Sequence, residues 1–152
     1  MFLPRKIVEE KLRQFLAEDV GEGDVTTSLL IPAGATAEAI VVARETGVIA
    51  GVEEAQILLE SLGINAETTL NDGSTAKKGQ TIIKIRGDAR TILTVERTLL
   101  NLISRMSGIA SATRNLVNQL RKNRIKARVA CTRKTAPGLL YFDKKAVEIG
   151  GG

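Results

Sequence analysis

Two adjacent cations flanked by hydroxyl residues give this chain its clearest chemical signal. Thr132-Arg133-Lys134-Thr135 directly follows residues 125–131, where apolar residues alternate with charged or small ones as they do in a strand. In βα folds, residues at the carboxyl end of a strand face the ligand crevice. Arginine can bind a carboxylate or phosphate through two hydrogen bonds, and lysine adds a point charge. The segment is therefore a candidate site for an anionic ligand, with a solvated basic loop as the alternative.

Arg97 is a second candidate, because it lies in the otherwise apolar segment VERTLLNLISRM. Taken by itself, its position favours an ion pair with the preceding residue or between helices, with an acid such as Glu96 on the outer face. Arg105 and Arg114 favour the same structural interpretation more strongly. The basic run Arg121–Arg128 is typical of the end of a helix, where cations complement the helix dipole.

The composition excludes several kinds of chemistry. The chain has 152 residues, one cysteine and no histidine, so it supplies neither a Ser-His-Asp nor a Cys-His pair. Cys131 has no second cysteine to form an internal disulfide, and a zinc site is not expected. Neither a signal peptide nor a membrane span is evident, and a cytoplasmic protein without membrane association is expected.

The charge is unevenly distributed along the chain. Residues 101–152 carry 11 of the 22 basic residues but only 2 of the 17 acidic ones. Such asymmetry points to an anionic partner, for example nucleic acid, phosphate or carboxylate ligands. Nucleic acid is disfavoured because the chain has only one Tyr, three Phe and no Trp to stack on bases.

The first 90 residues have the patterns of a small antiparallel sheet with helices against it, an α+β architecture. The segment GEGD at 21–24 lacks the pattern of a phosphate-binding loop and indicates a turn framework. The predicted elements are helix 4–18, a structured loop over 18–32, a hairpin over 37–50, helix 52–62 capped by Gly63, and strands 66–70 and 81–87.

The remaining residues read as the beginning of a βα barrel. A helix over 89–106 is followed by an interruption at Gly108 and a second helix over 109–120. Strand 125–131 and a loop then precede a helix over 139–149. Cys131 is expected to pack inside the barrel as a small apolar residue.

Four motifs in this order resemble the quinolinate phosphoribosyltransferase family. They are EDVGEGDVTT (18–27), ERTLLNLISRMSGIASATR (96–114), CTRKTAPGL (131–139) and KKAVEIGGG (144–152). The resemblance implies an N-terminal α/β sandwich domain of the hammerhead kind over residues 1–106. Residues 107–152 would begin an incomplete, TIM-like α/β barrel that is truncated here.

The resemblance also implies the reaction and the partners. Quinolinate and phosphoribosyl pyrophosphate would react, with Mg²⁺, to give nicotinate mononucleotide, pyrophosphate and carbon dioxide in de novo NAD synthesis. Subunits of the family pair head to tail as a homodimer with shared active sites, and a hexamer is left open. No nucleic-acid partner is expected.

The resemblance assigns substrate-binding roles to four residues. Arg133 and Lys134 match a family motif that holds the carboxylates and the sugar donor, and Thr132 belongs to the same segment. Arg97 matches a helix arginine that reaches the site of the partner subunit, which reverses the interpretation from its position alone. No metal ligand or catalytic residue can be assigned.

The sequence departs from the family pattern in two ways. The family's later His-Arg pair, lysine and acidic residues are not present, so residues 1–152 alone are expected to be inactive. Lys145 stands where an aromatic residue is usual and is expected to be a tolerated surface change.

Alternative functions remain open at this stage. Within the same class, the chain could belong to a nicotinate phosphoribosyltransferase or to a paralogue associated with molybdenum transport. Outside it, the chain could be a truncated pseudo-enzyme kept for dimerisation, or a non-catalytic basic fragment that binds anions or nucleic acid.

Overall fold

The computed structural model describes residues 3–21, 23 and 25–152, without the side chains of residues 25 and 26. Its helices and strands alternate along the first part of the chain, and helices alone follow. They are α1 (Arg5–Val20), α2 (Val25–Leu30), β1 (Thr36–Val42), β2 (Gly47–Val48), α3 (Val52–Ser61), β3 (Asn65–Thr68), β4 (Thr75–Ala76), β5 (Thr81–Asp88), α4 (Ala89–Lys122) and α5 (Leu140–Gly150).

The main sheet has three antiparallel strands in the order β1-β5-β3. Strand β5 is central because its isoleucines bury their side chains: Ile82, Ile83 and Ile85 are all at most 5% exposed. Val41 pairs with Ile83 on one side, and Thr68 pairs with the same residue on the other. This confirms the predicted strand at 81–87 and the α+β class of the first 90 residues.

Helices α3 and α4 pack on this sheet, and α1 and α5 pack on those helices, so that all four share one hydrophobic core. Each helix contributes fully buried side chains, and burying a large apolar side chain stabilises a fold by roughly 1.5–3 kcal/mol. Examples are Leu12 of α1, Leu58 of α3, Met106 of α4 and Phe142 of α5, all of them 0% exposed. The predicted helices at 4–18, 52–62 and 139–149 are thereby confirmed.

The predicted hairpin over 37–50 is wrong. Strand β1 pairs with β5, and β2 pairs with β4 in a separate two-stranded sheet. Backbone groups next to β2 bond to α4 instead, because the Ser111 hydroxyl accepts from Val48 N at 2.8 Å and the Ser107 hydroxyl accepts from Ala50 N at 3.0 Å. These tertiary hydrogen bonds give the backbone N–H groups of Val48 and Ala50 the acceptors that a local hairpin was expected to supply.

Helix α4 is continuous through Gly108, so the predicted interruption is also wrong. The helix begins at an Asp88 cap, whose carboxylate accepts from Thr91 N at 2.8 Å, and runs for 34 residues. Gly108 is exposed on this helix. One glycine lowers helix stability by only about 1 kcal/mol, and the buried residues on both sides of it outweigh that loss. The predicted domain boundary at 106/107 falls inside α4 and stays a prediction.

Residues 125–131 form no strand, contrary to the prediction. A strand needs a neighbour for its backbone hydrogen bonds, and within the described residues both sheets are built from β1 to β5 alone. Cys131 is exposed rather than packed inside a barrel for the same reason. The loop predicted over 18–32 holds the short helix α2, and Glu22 and Asp24 of the GEGD segment lie outside the described residues.

No helix in the described part of the chain is both long and apolar enough to cross a bilayer.

Candidate active site

Arg97 projects from α4 toward the end of α1 and pairs with Asp19. Its Nε lies 2.8 Å from Asp19 Oδ1 and 3.0 Å from Oδ2, and its Nη2 donates to the Asp19 carbonyl oxygen at 3.2 Å. The Arg97 side chain is 70% exposed, so the guanidinium is accessible to a dissolved anion. The pairing with an acid of another helix that the position of Arg97 favours is confirmed, with Asp19 as the recorded partner rather than Glu96.

The segment Thr132–Lys134 lies in the loop between α4 and α5. All three residues are exposed, and Lys134 N donates to the Thr132 hydroxyl oxygen at 3.1 Å. That bond is a local turn of the kind that Ser and Thr form at loop corners. The arrangement leaves two cations and a hydroxyl residue close together in the chain and open to solvent.

The four predicted residues do not form one contiguous site within this chain. Among the described residues, no hydrogen bond or ion pair joins Arg97 to the Thr132–Lys134 segment. The two groups lie on different elements, α4 and the loop after it. Their substrate-binding roles stay predictions.

Two arginines of α4 hold α5, the helix that follows the Thr132–Lys134 loop. Arg105 donates to both carboxylate oxygens of Asp143, at 2.8 and 2.9 Å. Arg114 donates to the carbonyl oxygens of Gly150 and Ile149, at 2.9 and 3.0 Å, at the end of α5. Both arginines have a structural role, but only Arg105 has the acidic partner that was predicted, because Arg114 binds backbone carbonyl oxygens. Their partners could not be read from local spacing because those partners lie 35 to 38 residues away.

Lys145 lies between α3 and α5, so the prediction of a surface change is wrong. Its side chain is only 16% exposed, and Nζ donates to Glu54 Oε1 at 2.7 Å and to Glu53. Glu54 is 0% exposed, and Tyr141 donates a further, longer bond of 3.4 Å to it. The sequence feature that could have indicated this pair is the acid Glu54 on the apolar face of α3, because a buried carboxylate needs a cation as its partner.

Burial raises the pKa of the Glu54 carboxyl, and the hydrogen bond from Lys145 opposes that shift. Burial acts to lower the pKa of Lys145, but its bonds to Glu53 and Glu54 outweigh burial and the pKa is raised. Both pKa values are therefore raised, but for different reasons: burial outweighs the bond from Lys145 at Glu54, whereas the two carboxylate partners outweigh burial at Lys145.

The described residues do not fit a magnesium site. No group of three or more Cys, Asp or Glu side chains among residues 3–21, 23 and 27–152 is placed to share a metal ion. Magnesium prefers carboxylate and phosphate oxygens in octahedral geometry, and the cations at Arg97, Arg133 and Lys134 would repel it.

The chain matches two family profiles that together span most of its length. Residues 24–107 match the quinolinate phosphoribosyl transferase N-terminal domain, and residues 109–152 match the C-terminal domain of the same family.

Individual relatives agree with these profiles. A probable nicotinate-nucleotide pyrophosphorylase [carboxylating] of Methanothermobacter thermautotrophicus is 44% identical over 141 residues, covering 93% of this chain and 50% of the relative. The nicotinate-nucleotide pyrophosphorylase [carboxylating] of Mycobacterium leprae is 41% identical over 148 residues, covering 94% of this chain and 51% of the relative. The chain thus spans about half the length of these curated relatives.

A solved structure matches over the same extent. The nicotinate-nucleotide pyrophosphorylase from Francisella tularensis superposes with a TM-score of 0.88 at 33% identity, covering 99% of this chain and 53% of that one. Because sequence profiles, curated relatives and a solved structure all point the same way, the chain belongs to the quinolinate phosphoribosyltransferase family.

Proposed function

We infer that this chain is part of an enzyme that transfers a phosphoribosyl group from phosphoribosyl pyrophosphate to quinolinate. Decarboxylation accompanies the transfer and gives nicotinate mononucleotide, pyrophosphate and carbon dioxide in NAD synthesis. The observation that carries this inference is the ordered match of both family domains over residues 24–107 and 109–152.

The chemistry of the candidate residues supports this function. Quinolinate carries two carboxylates, and the sugar donor carries several phosphate charges. Arg97, Arg133 and Lys134 are accessible cations that would hold these anions and stabilise the leaving pyrophosphate. Thr132 would add a hydroxyl beside them. These residues bind and orient; no proton transfer or metal-dependent step is assigned to them.

The proposal includes the finer architecture and the assembly. Residues 1–106 form the hammerhead-like domain, and residues 107–152 begin the incomplete α/β barrel. A head-to-tail homodimer brings Arg97 of one subunit to the Thr132–Lys134 segment of the other, which fits their lack of contact within one chain. A hexamer of such dimers stays open. The protein would work in the cytoplasm, with Mg²⁺ held by residues other than those described.

The test is a product assay on the complete protein. Quinolinate labelled in the carboxyl group at ring position 2, supplied with phosphoribosyl pyrophosphate and Mg²⁺, should release labelled carbon dioxide and form nicotinate mononucleotide. Nicotinate offered in its place should give little product. Preference for nicotinate would point to the related nicotinate phosphoribosyltransferase, and no product from either acceptor would contradict the proposed function.

A second candidate function rests on the exposed basic segment after α4. Five cations in residues 121–128, together with Arg133 and Lys134, are exposed to solvent, and this is typical of a surface that binds polyanions. Binding to generic duplex DNA that weakens steeply with salt would favour this alternative. Absence of binding at low salt would remove it.

A further inference from the structure

Asp19 stands at a position that helix energetics disfavour. It lies in the last turn of α1, whose carbonyl end carries partial negative charge, and no basic residue of that turn offsets it. An acid there destabilises an isolated helix by a few tenths of a kcal/mol, up to about 1 kcal/mol. The reason for this carboxylate must therefore lie in its tertiary contacts.

Those contacts hold one edge of a single guanidinium. The Asp19 carboxylate lies 2.8 and 3.0 Å from Arg97 Nε, and the Asp19 carbonyl oxygen accepts from Arg97 Nη2 at 3.2 Å. The carboxylate is itself fixed from the protein side, because the hydroxyl of the buried Thr98 donates to Oδ2 at 3.0 Å. Thr98 anchors Asp19, and Asp19 anchors Arg97.

Because the ion pair between Arg97 and Asp19 is open to solvent, it contributes little to the stability of the fold, but it can still orient the Arg97 side chain. The Arg97 side chain is 70% exposed and that of Asp19 is 23% exposed. An ion pair this open to water stabilises a fold by at most about 1 kcal/mol. It still removes rotamer freedom from a long side chain, and that freedom would otherwise be lost on binding a ligand.

The geometry also leaves the guanidinium able to bind. Arginine has five N–H donors in a planar fork, and the two bonds to Asp19 use only one on Nε and one on Nη2. The other three remain for a planar carboxylate or for water.

We propose that Asp19 is a positioning residue, which holds the Arg97 guanidinium in the orientation that receives a carboxylate of the substrate. This inference rests on the proposed function, and it adds a residue from α1 to a site built by α4 and the following loop. Asp19 does not itself touch the substrate.

The kinetic test compares Asp19→Asn with two matched variants in the complete protein. Asp19→Asn should raise the KM for quinolinate about tenfold, because a weakened charge-assisted bond changes affinity by roughly that factor. The KM for phosphoribosyl pyrophosphate should change less than twofold. Glu10→Gln and Glu18→Gln, which each remove one exposed negative charge from the same helix, should stay within threefold of wild type.

An Arg97→Ala background decides whether Asp19 acts through Arg97. There, Asp19→Asn should have no further effect on the KM for quinolinate. An equal effect in both backgrounds, or an unchanged KM in the wild-type background, would overturn the proposal. If Asp19→Asn lowers the melting temperature below the assay range, Asp19→Glu replaces it. That variant keeps the charge but moves the carboxylate by one methylene, and its effect on the KM for quinolinate is compared in the same two backgrounds.

A chemical readout keeps this inference separate from the proposed function. Phenylglyoxal modifies accessible arginines, and a guanidinium paired to a carboxylate reacts more slowly. Arg97, followed by peptide mass spectrometry, should be modified several-fold faster in Asp19→Asn than in wild type or Glu18→Gln. Equal rates in all three proteins would overturn the positioning role, whether or not the wild type transfers a phosphoribosyl group.

Discussion

The arginines after residue 90 divide according to what they contact. Arg105 and Arg114 bind groups of α5 and serve the fold, whereas Arg97 bonds to an acid at the end of α1 and stays accessible. Arg133 is exposed in the loop after α4. A functional role is therefore better argued from accessibility and partner than from the residue type alone.

Replacing either accessible arginine should weaken quinolinate binding. In the complete protein, Arg97→Ala and Arg133→Ala should each reduce affinity by about 1.5–3 kcal/mol, the range for a hydrogen bond to a charged group. Titration calorimetry with quinolinate measures the change, and Arg86→Ala, an exposed arginine of β5, is the control. Unchanged affinity in either variant would remove that residue from the site.

The buried pair between α3 and α5 predicts a stability effect at the residue scale. Lys145→Met leaves the Glu54 carboxyl, which is 0% exposed, without its cation, and this should lower the free energy of unfolding by about 3–5 kcal/mol. The double variant Glu54→Gln/Lys145→Met should recover most of the loss, because neither side chain is then charged. Urea unfolding measures both, and equal losses in the two variants would contradict this account.

The same pair predicts a pH dependence. Because the pKa of Lys145 is raised in the folded state, its stabilising contribution is fully present below the ordinary lysine pKa of about 10.4. It is lost as the pH rises through the folded-state value. The stability difference between wild type and Lys145→Met should be constant from pH 7 to about pH 10 and should shrink above that. A difference that grows with alkaline pH would show the sign to be wrong.

At the scale of elements, α4 connects the sheet to α5. Its 34 residues carry the buried side chains that pack on β1, β5, α1 and α3, and its later part packs against α5. The serines at 107 and 111 bond to the backbone beside β2. A helix with this many partners stays continuous through a glycine that would weaken an isolated one.

Two glycines of these helices should respond oppositely to alanine. A Cβ at Gly108 would meet no atom within 4 Å, so Gly108→Ala should stabilise the protein by about 0.5–1 kcal/mol. A Cβ at Gly150 would lie 2.6 Å from the Ala110 carbonyl oxygen and from Thr113 Cβ, so Gly150→Ala should destabilise it by about 1–3 kcal/mol. Thermal unfolding measures both changes, and two shifts of the same sign would contradict the packing at α4 and α5.

At the scale of the whole molecule, the chain shares its fold with structures about twice its length. It covers 53% of the Francisella tularensis enzyme while 99% of its own residues superpose. Residues 125–131, which join neither sheet of the described residues, are where the alternation of apolar residues predicts a strand at the beginning of the barrel. The proposed site needs Arg97 together with Arg133 and Lys134, and no hydrogen bond or ion pair joins these groups among the described residues.

Residues 1–152 prepared alone should therefore be inactive. A protein of 16.3 kDa with this sequence should form no nicotinate mononucleotide from quinolinate and phosphoribosyl pyrophosphate. The product assay measures turnover, and the complete protein is the positive control. Turnover by residues 1–152 would contradict this prediction.

The sequence by itself determined the family, the candidate anion-binding residues and most element types. Apolar periodicity predicts the helices at 5–20, 52–61 and 140–150 and the strand at 81–88, because the spacing of apolar residues indicates which side chains are buried. The motif around Arg133 was visible because its chemistry lies in consecutive residues.

The tertiary structure alone decided which segments became partners. Strand β1 pairs with β5 and not with the nearby β2, and α4 continues through Gly108. Lys145 bonds to Glu54, which lies 91 residues away in the sequence. The bond between Asp19 and Arg97 spans 78 residues. A local pattern shows whether a residue is buried or charged. The group that becomes its bonding partner depends on packing against distant parts of the chain.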